Sequence, residues 1–148
     1  MQAQQGDVFL FQSLDDGNIE VIKGVVTMTG GLETAAYLAL YGGNLDDDGR
    51  EGNPKNWWGN LSETDPVYQY RSETQYWIQS LPFSSGNLRK IEEAAKRDLK
   101  FFLEIKAANK LDVMASIPGL NKIKLKIDIE AVGGLASFEF TETWMAAI

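Results

Sequence analysis

With no histidine and no cysteine among its 148 residues, the chain lacks the side chains most acid–base and metal sites rely on, and its carboxylates are the first groups to weigh. The commonest metal ligand, the usual neutral-pH proton shuttle and every thiolate mechanism are missing. Two carboxylate chemistries can be posed. The stretch NLDDDGREGNPK starts as an EF-hand calcium loop does, with Asn44, Asp46, Asp48 and Gly49 at positions 1, 3, 5 and 6. It fails at position 12, where the ion needs a bidentate Glu and the chain has Lys55, so a solvated acidic turn is expected, with no metal and no other cofactor. A glycosidase needs two carboxyl groups roughly 5–9.5 Å apart, one with a raised pKa. Glu33, Glu51, Asp65 and Glu73 are available, but spacing does not say which two converge. Glu33 and Glu73 also fall in first helical turns, where the helix dipole favours an acid for structural reasons. There is no Gly-rich phosphate loop with its lysine, and the Gly pairs at 30–31, 42–43 and 133–134 mark element boundaries.

The other conspicuous chemistry is apolar. NPKNWWGN, residues 53–60, sets Trp57 and Trp58 between helix breakers in the most polar part of the chain. Each indole buries on the order of 150–250 Å² when it finds a partner. The loop therefore folds back on its own core or is covered by another molecule, and burial statistics weigh the two alike. Adjacent residues of extended backbone point to opposite sides, so one ring can face the core while its neighbour faces a partner. That geometry favours an interface.

The elements that must position these residues follow from periodicity. DVFLFQ and NIEVIKGVVTMTG are strand-forming runs on either side of a turn signal, DDGN, with Gly24 read as a bulge. GLETAAYLALYGG repeats Leu32, Ala35, Ala36, Ala39 and Leu40 at helical spacing before its glycine stop. An irregular segment at about 44–66, rich in Asp, Asn, Gly and Pro, is longer than compact domains usually keep without a job. RSETQYWIQSL reads as a short helix with Ser72 as its cap and Pro82 as its end. After SSGN, the residues Leu88, Ile91, Ala95, Leu99, Phe102 and Ile105 form one apolar stripe of a longer helix. KIKLKIDIE alternates Ile123, Leu125, Ile127 and Ile129 with Lys122, Lys124, Lys126, Asp128 and Glu130, and SFEFTETW returns with Phe138 and Phe140 inward. The lysine row is expected to face Glu139 or Glu142.

Strands, then helices, then strands give an α+β fold: one domain over 1–148, with N-terminal strands and a C-terminal hairpin in antiparallel sheet packed against two to three helices. At 44% hydrophobic and 24% charged, the composition supports a packed core without metals or disulfides. Fourteen Lys and Arg against 21 Asp and Glu leave a net charge of −7, which repels phosphate backbones and anionic lipid, so neither nucleic acid nor membrane is expected as a partner. No run approaches signal-peptide or membrane-span character, and synthesis in the cytoplasm is expected.

Taken in order, GDVFLF, GLETAAYLALYGG, WWGN, LRKIEEAAKRDLKFFLE and the closing IKLKIDIE hairpin resemble a family of Mu-like bacteriophage tail proteins. Those proteins look like relatives of the small T4-type baseplate wedge protein, a group once labelled lysozyme, and of its counterpart in type VI secretion. The resemblance covers nearly the whole chain, and GLETA with WWG is its most telling pair. It implies a non-enzymatic structural part of a contractile tail baseplate, assembled in a ring in the virion and touching larger wedge proteins and the first sheath ring. In the wider group a helix leads into a loop with a Gly-Glu-Arg stretch, a proline and an aromatic-Gly close, and this loop serves assembly contacts. Here the helix is 32–41, the loop holds Arg50, Glu51 and Pro54, and Trp58-Gly59 matches the close. The Glu-Arg order is reversed as RE, and DDD is extra. On that match Trp57, Trp58, Gly59, Arg50 and Pro54 are the expected partner-binding residues, while Glu33 and Arg71 are structural. An exposed strand edge is a second expected contact. Two other classes stay open: a peptidoglycan-degrading enzyme, from the old label and the many carboxylates, and an acidic module binding a host protein.

Overall fold

The N-terminal apolar runs are too short and too often interrupted to make one ladder, and they pair locally instead. In the computed structural model, which describes residues 7–13, 16–26, 28–29, 32–42, 62, 64–65, 72–131 and 134–145, β1 (Asp7–Val8) pairs antiparallel with a strand at Met28–Thr29. β2 (Leu10–Ser13) pairs with β3 (Asp16–Ile19), and β4 (Val21–Ile22) with β5 (Val25–Val26), the Met28–Thr29 strand being β6. Lys23 and Gly24 join β4 to β5 with φ of 50° and 77°. Two successive positive φ values define the tight hairpin turn whose twist matches the flanking strands. Gly24 is thus a turn residue and not the bulge expected from sequence, because the two strands beside it pair with each other.

Three helices and a helical turn follow: α1 (Leu32–Tyr41), α2 (Glu73–Ser80), α3 (Ser85–Leu99) and the four-residue α4 (Phe101–Glu104). Thr34 of α1 stitches the first strands to the helix. Its hydroxyl donates to the Val8 carbonyl (2.7 Å) and accepts from the Leu10 amide (3.1 Å), spanning the break between β1 and β2. Gly17 lets α1 come close: a Cβ there would lie 2.7 Å from Cε1 of Tyr37. Tyr37, Tyr41 and Phe140 then form an aromatic group with ring centroids 5.3 to 5.9 Å apart.

The last elements are β7 (Lys110–Ser116), β8 (Lys122–Ala131) and β9 (Gly134–Thr143), a three-stranded antiparallel sheet in the order β7-β8-β9. Ile123, Leu125, Ile127 and Ile129 of β8 are completely buried on one face, as alternation predicts. Burial of each such side chain contributes about 1.5–3 kcal/mol before chain entropy is subtracted. They share one core with Ile91, Ala95 and Leu99 of α3 and Phe102 of α4. Trp144, fully buried just beyond β9, donates its indole N–H to the Leu81 carbonyl (2.7 Å) and meets Phe83 edge-on at 5.1 Å, locking the α2–α3 connection onto the sheet. The α+β single domain expected from segment order is what forms, with the N-terminal strands pairing among themselves and the C-terminal hairpin gaining β7.

Candidate functional site

Helix α2 starts without a cap of its own. Ser72 adopts the left-handed conformation (φ 52°, ψ 39°) and makes no capping bond; its hydroxyl donates instead to the Leu38 carbonyl at the end of α1 (3.0 Å). The expected Ser72 cap is therefore replaced, because that hydroxyl is spent on tethering two helices. The cap comes from α3. Asp98 Oδ1 accepts the Glu73 amide (3.0 Å), and Oδ2 accepts both the amide (2.7 Å) and the hydroxyl (2.8 Å) of Thr74. Asp98 is only 4% exposed. Burial pushes its pKa up to about 7, against the pull of the hydrogen bonds from Thr74 and Glu73 and with some help from the Glu73 charge.

Glu73 turns its own carboxylate outward. Arg97 grips it with Nε on Oε2 (3.0 Å) and Nη2 on Oε1 (2.9 Å), and the Trp77 indole donates to Oε1 (3.0 Å). The pairing raises the Arg97 pKa further. A carboxyl group titrating near neutrality beside a second carboxylate paired with an arginine is the arrangement acid–base catalysis uses. Here both Asp98 oxygens are occupied by the helix end, and neither acid lines the neighbouring groove. Of the four carboxylates singled out from sequence, Glu73 belongs to this cluster, Glu33 lies in the first turn of α1 with its pKa raised by burial, and Asp65 is exposed. Asp98 escaped the sequence reading, although a lone acid three residues after Ala95 and seven after Ile91, inside the apolar stripe, was its signal.

Glu51, Arg71, the acidic stretch 44–55 and the expected contact residues Arg50, Pro54, Trp57, Trp58 and Gly59 lie outside the described residues. Among the described residues no group of three or more His, Cys, Asp or Glu side chains could hold a metal ion, and no helix is long and apolar enough to cross a membrane.

What the described surface does offer is apolar. Ile19, Val21, Ile22 and Val25 are 46, 53, 56 and 54% exposed, all on the β3–β5 hairpin region. Neighbouring strand residues face opposite ways, so Val21 and Ile22 together mean that both sides of the hairpin are about half open to solvent. The sheet edges are treated differently. Gln12 of β2 closes the β9 edge with its side chain, Oε1 accepting the Thr141 amide (2.7 Å) and Nε2 donating to Glu142 Oε1 (2.5 Å). On the far edge Glu92 of α3 accepts the Ala115 amide (2.9 Å), and no described strand lies beyond β7. Lys124 pairs with Glu139 across the wet face (3.3 Å), whereas Glu142 faces the other way, opposite Ile123, and is buried.

No protein-family model, curated protein or solved structure matches the chain.

Proposed function

We propose that the protein is a non-enzymatic structural subunit of a contractile-tail baseplate, a wedge component held by larger wedge proteins and the first sheath ring. The observation that carries this reading is the hairpin region, where the aliphatic side chains of Ile19, Val21, Ile22 and Val25 are each about half exposed. Apolar area of this kind is stabilised by being covered, at about 25 cal/mol for each Å² removed from water. The ordered resemblance along the chain supplies the kind of partner. In this reading the hairpin inserts into a wedge protein, the outer edge of β7 takes a partner strand, and Trp57, Trp58, Gly59, Arg50 and Pro54 make the loop contacts. Repetition around a closed ring lets many modest contacts suffice. The site of action is the virion.

Co-expression with the genes beside its own tests the proposal. Recovery of a stoichiometric complex with a large neighbouring gene product is the expected result; a protein that stays alone in every combination contradicts it. One observation favours a second reading, a wall-cleaving enzyme: Asp98, with its pKa near 7, lies beside Glu73. If that reading holds, the purified protein clears peptidoglycan suspensions and Asp98→Asn abolishes clearing without unfolding the chain.

A further inference from the structure

Between α2 and α3 runs an open groove of about 540 Å³, floored by Trp77, Leu81 and Gly86 and rimmed by Arg89, Lys90 and Arg97. Its charge differs from that of the molecule around it. The whole chain carries −7, yet among the described residues this rim holds three cations against one acid, Glu93, which is itself 3.6 Å from Lys96. Arg97 is committed to Glu73 by two hydrogen bonds. Arg89 and Lys90 are different: both are exposed, and neither has an acidic partner among the described residues.

Two unpaired cations on successive residues, beside an indole that is only partly buried, make a mixed surface that bare phosphate would use only in part. A long polyanion gains from the rim and is repelled by the rest of the molecule. A short acidic segment with one apolar residue uses everything present: its carboxylates meet Arg89 and Lys90, and its apolar side chain lies on Trp77 and Leu81. We propose that the α2–α3 groove is a docking site for an acidic peptide segment of another protein, carrying a leucine or aromatic anchor between its carboxylates. The groove is remote in sequence from the hairpin and its chemistry does not depend on the baseplate reading.

Gly86 supplies an independent handle. A Cβ there would meet nothing closer than the Ser84 hydroxyl at 3.9 Å, so the backbone at 86 has room for a side chain, and one placed there narrows the groove that Gly86 lines. The test is a yeast-displayed library of twelve-residue random peptides panned on the purified full chain. Counter-selection uses the Arg89→Glu/Lys90→Glu double variant and, separately, Gly86→Leu, each checked for wild-type circular dichroism and unfolding. The expected outcome is enrichment of peptides with two or more Asp or Glu flanking Leu, Phe or Trp. Their binding falls by about tenfold or more in each variant, and falls again with added salt. Failure to enrich any peptide, enrichment without acidic bias, or equal binding to the variants overturns the proposal. So does single-stranded DNA that competes as well as the selected peptides, or self-association of the wild type that the double variant abolishes.

Discussion

Asp98 and Thr74 are joined by two hydrogen bonds to one oxygen: Oδ2 of Asp98 accepts the Thr74 amide at 2.7 Å and the Thr74 hydroxyl at 2.8 Å, though the residues are 24 apart in sequence. A helix start is normally satisfied by the residue just before it. Here a buried acid on a neighbouring helix does so and, together with the Arg97–Glu73 pair, ties the start of α2 to α3 beside the groove between them.

Removing that side chain leaves buried donors without acceptors. Asp98→Ala is expected to cost on the order of 2–3 kcal/mol, read as a lower urea midpoint with an unchanged denaturant slope. A loss below about 0.5 kcal/mol would mean that water replaces the carboxyl group at no cost.

The same acid makes stability depend on pH. Its folded pKa, about 7, is above the ordinary 3.8, so between these values the folded chain holds a proton that the unfolded chain has released. The contribution is fully present below about pH 4 and is lost as pH rises through 7, with a ceiling on the order of 4 kcal/mol. Unfolding free energies measured from pH 4 to 8 should fall more steeply for the wild type than for Asp98→Asn, which has no such proton to lose. Parallel curves would show that the hydrogen bonds hold Asp98 as an anion throughout.

Tyr41 carries a hydroxyl that is buried and has no hydrogen-bond partner among the described residues. Burial, together with the nearby Glu142, raises its pKa well above the ordinary tyrosine value, so it stays neutral. Tyr41→Phe deletes an unsatisfied polar atom while keeping the ring against Tyr37 and Phe140. It is expected to leave stability unchanged or raise it by up to about 2 kcal/mol. A clear loss in thermal or urea unfolding would reveal a bond that the hydroxyl makes.

Gly17→Ala probes the close approach of α1. Its Cβ would press on a Tyr37 ring already fixed by Tyr41 and Phe140, so a cost of about 1–3 kcal/mol is expected, larger than strand propensity alone would suggest. Tyr37→Leu in the same chain should relieve part of it, which a double-mutant cycle measures directly.

Periodicity made the core legible. The strict alternation of β8 and the stripe Ile91, Ala95, Leu99 and Phe102 are buried as their spacing demands, because side-chain direction in regular elements is set by backbone geometry alone. β7 was less visible: Leu111, Val113 and Ala115 do alternate, but among Lys110, Asp112 and Ser116 they form a short, weakly apolar edge strand. The cap on α2 was misread because a serine before a helix is a local signal, whereas Asp98 acts through tertiary contact. The lysine face was half legible: Glu139 does meet Lys124, but Glu142, three residues on, falls on the opposite face of the strand. The hairpin's exposure was hidden for a simpler reason. Val21, Ile22 and Val25 look like core residues, and only the fold shows that they are about half exposed.

Incorporation into particles is the most direct test of the proposal that this protein is a subunit held by its neighbours. Val21→Thr, Ile22→Thr and Val25→Thr together keep β-branched side chains while removing apolar area that is already half wet, so the isolated protein should unfold within about 1 kcal/mol of wild type. Particles purified from cells carrying the triple variant in place of the wild-type gene are then quantified for this subunit by mass spectrometry. The account predicts that the variant is absent from them or that no complete tails form, while the wild type is present at a fixed ratio to the sheath. Tails assembled normally, with the variant at that same ratio, would contradict it.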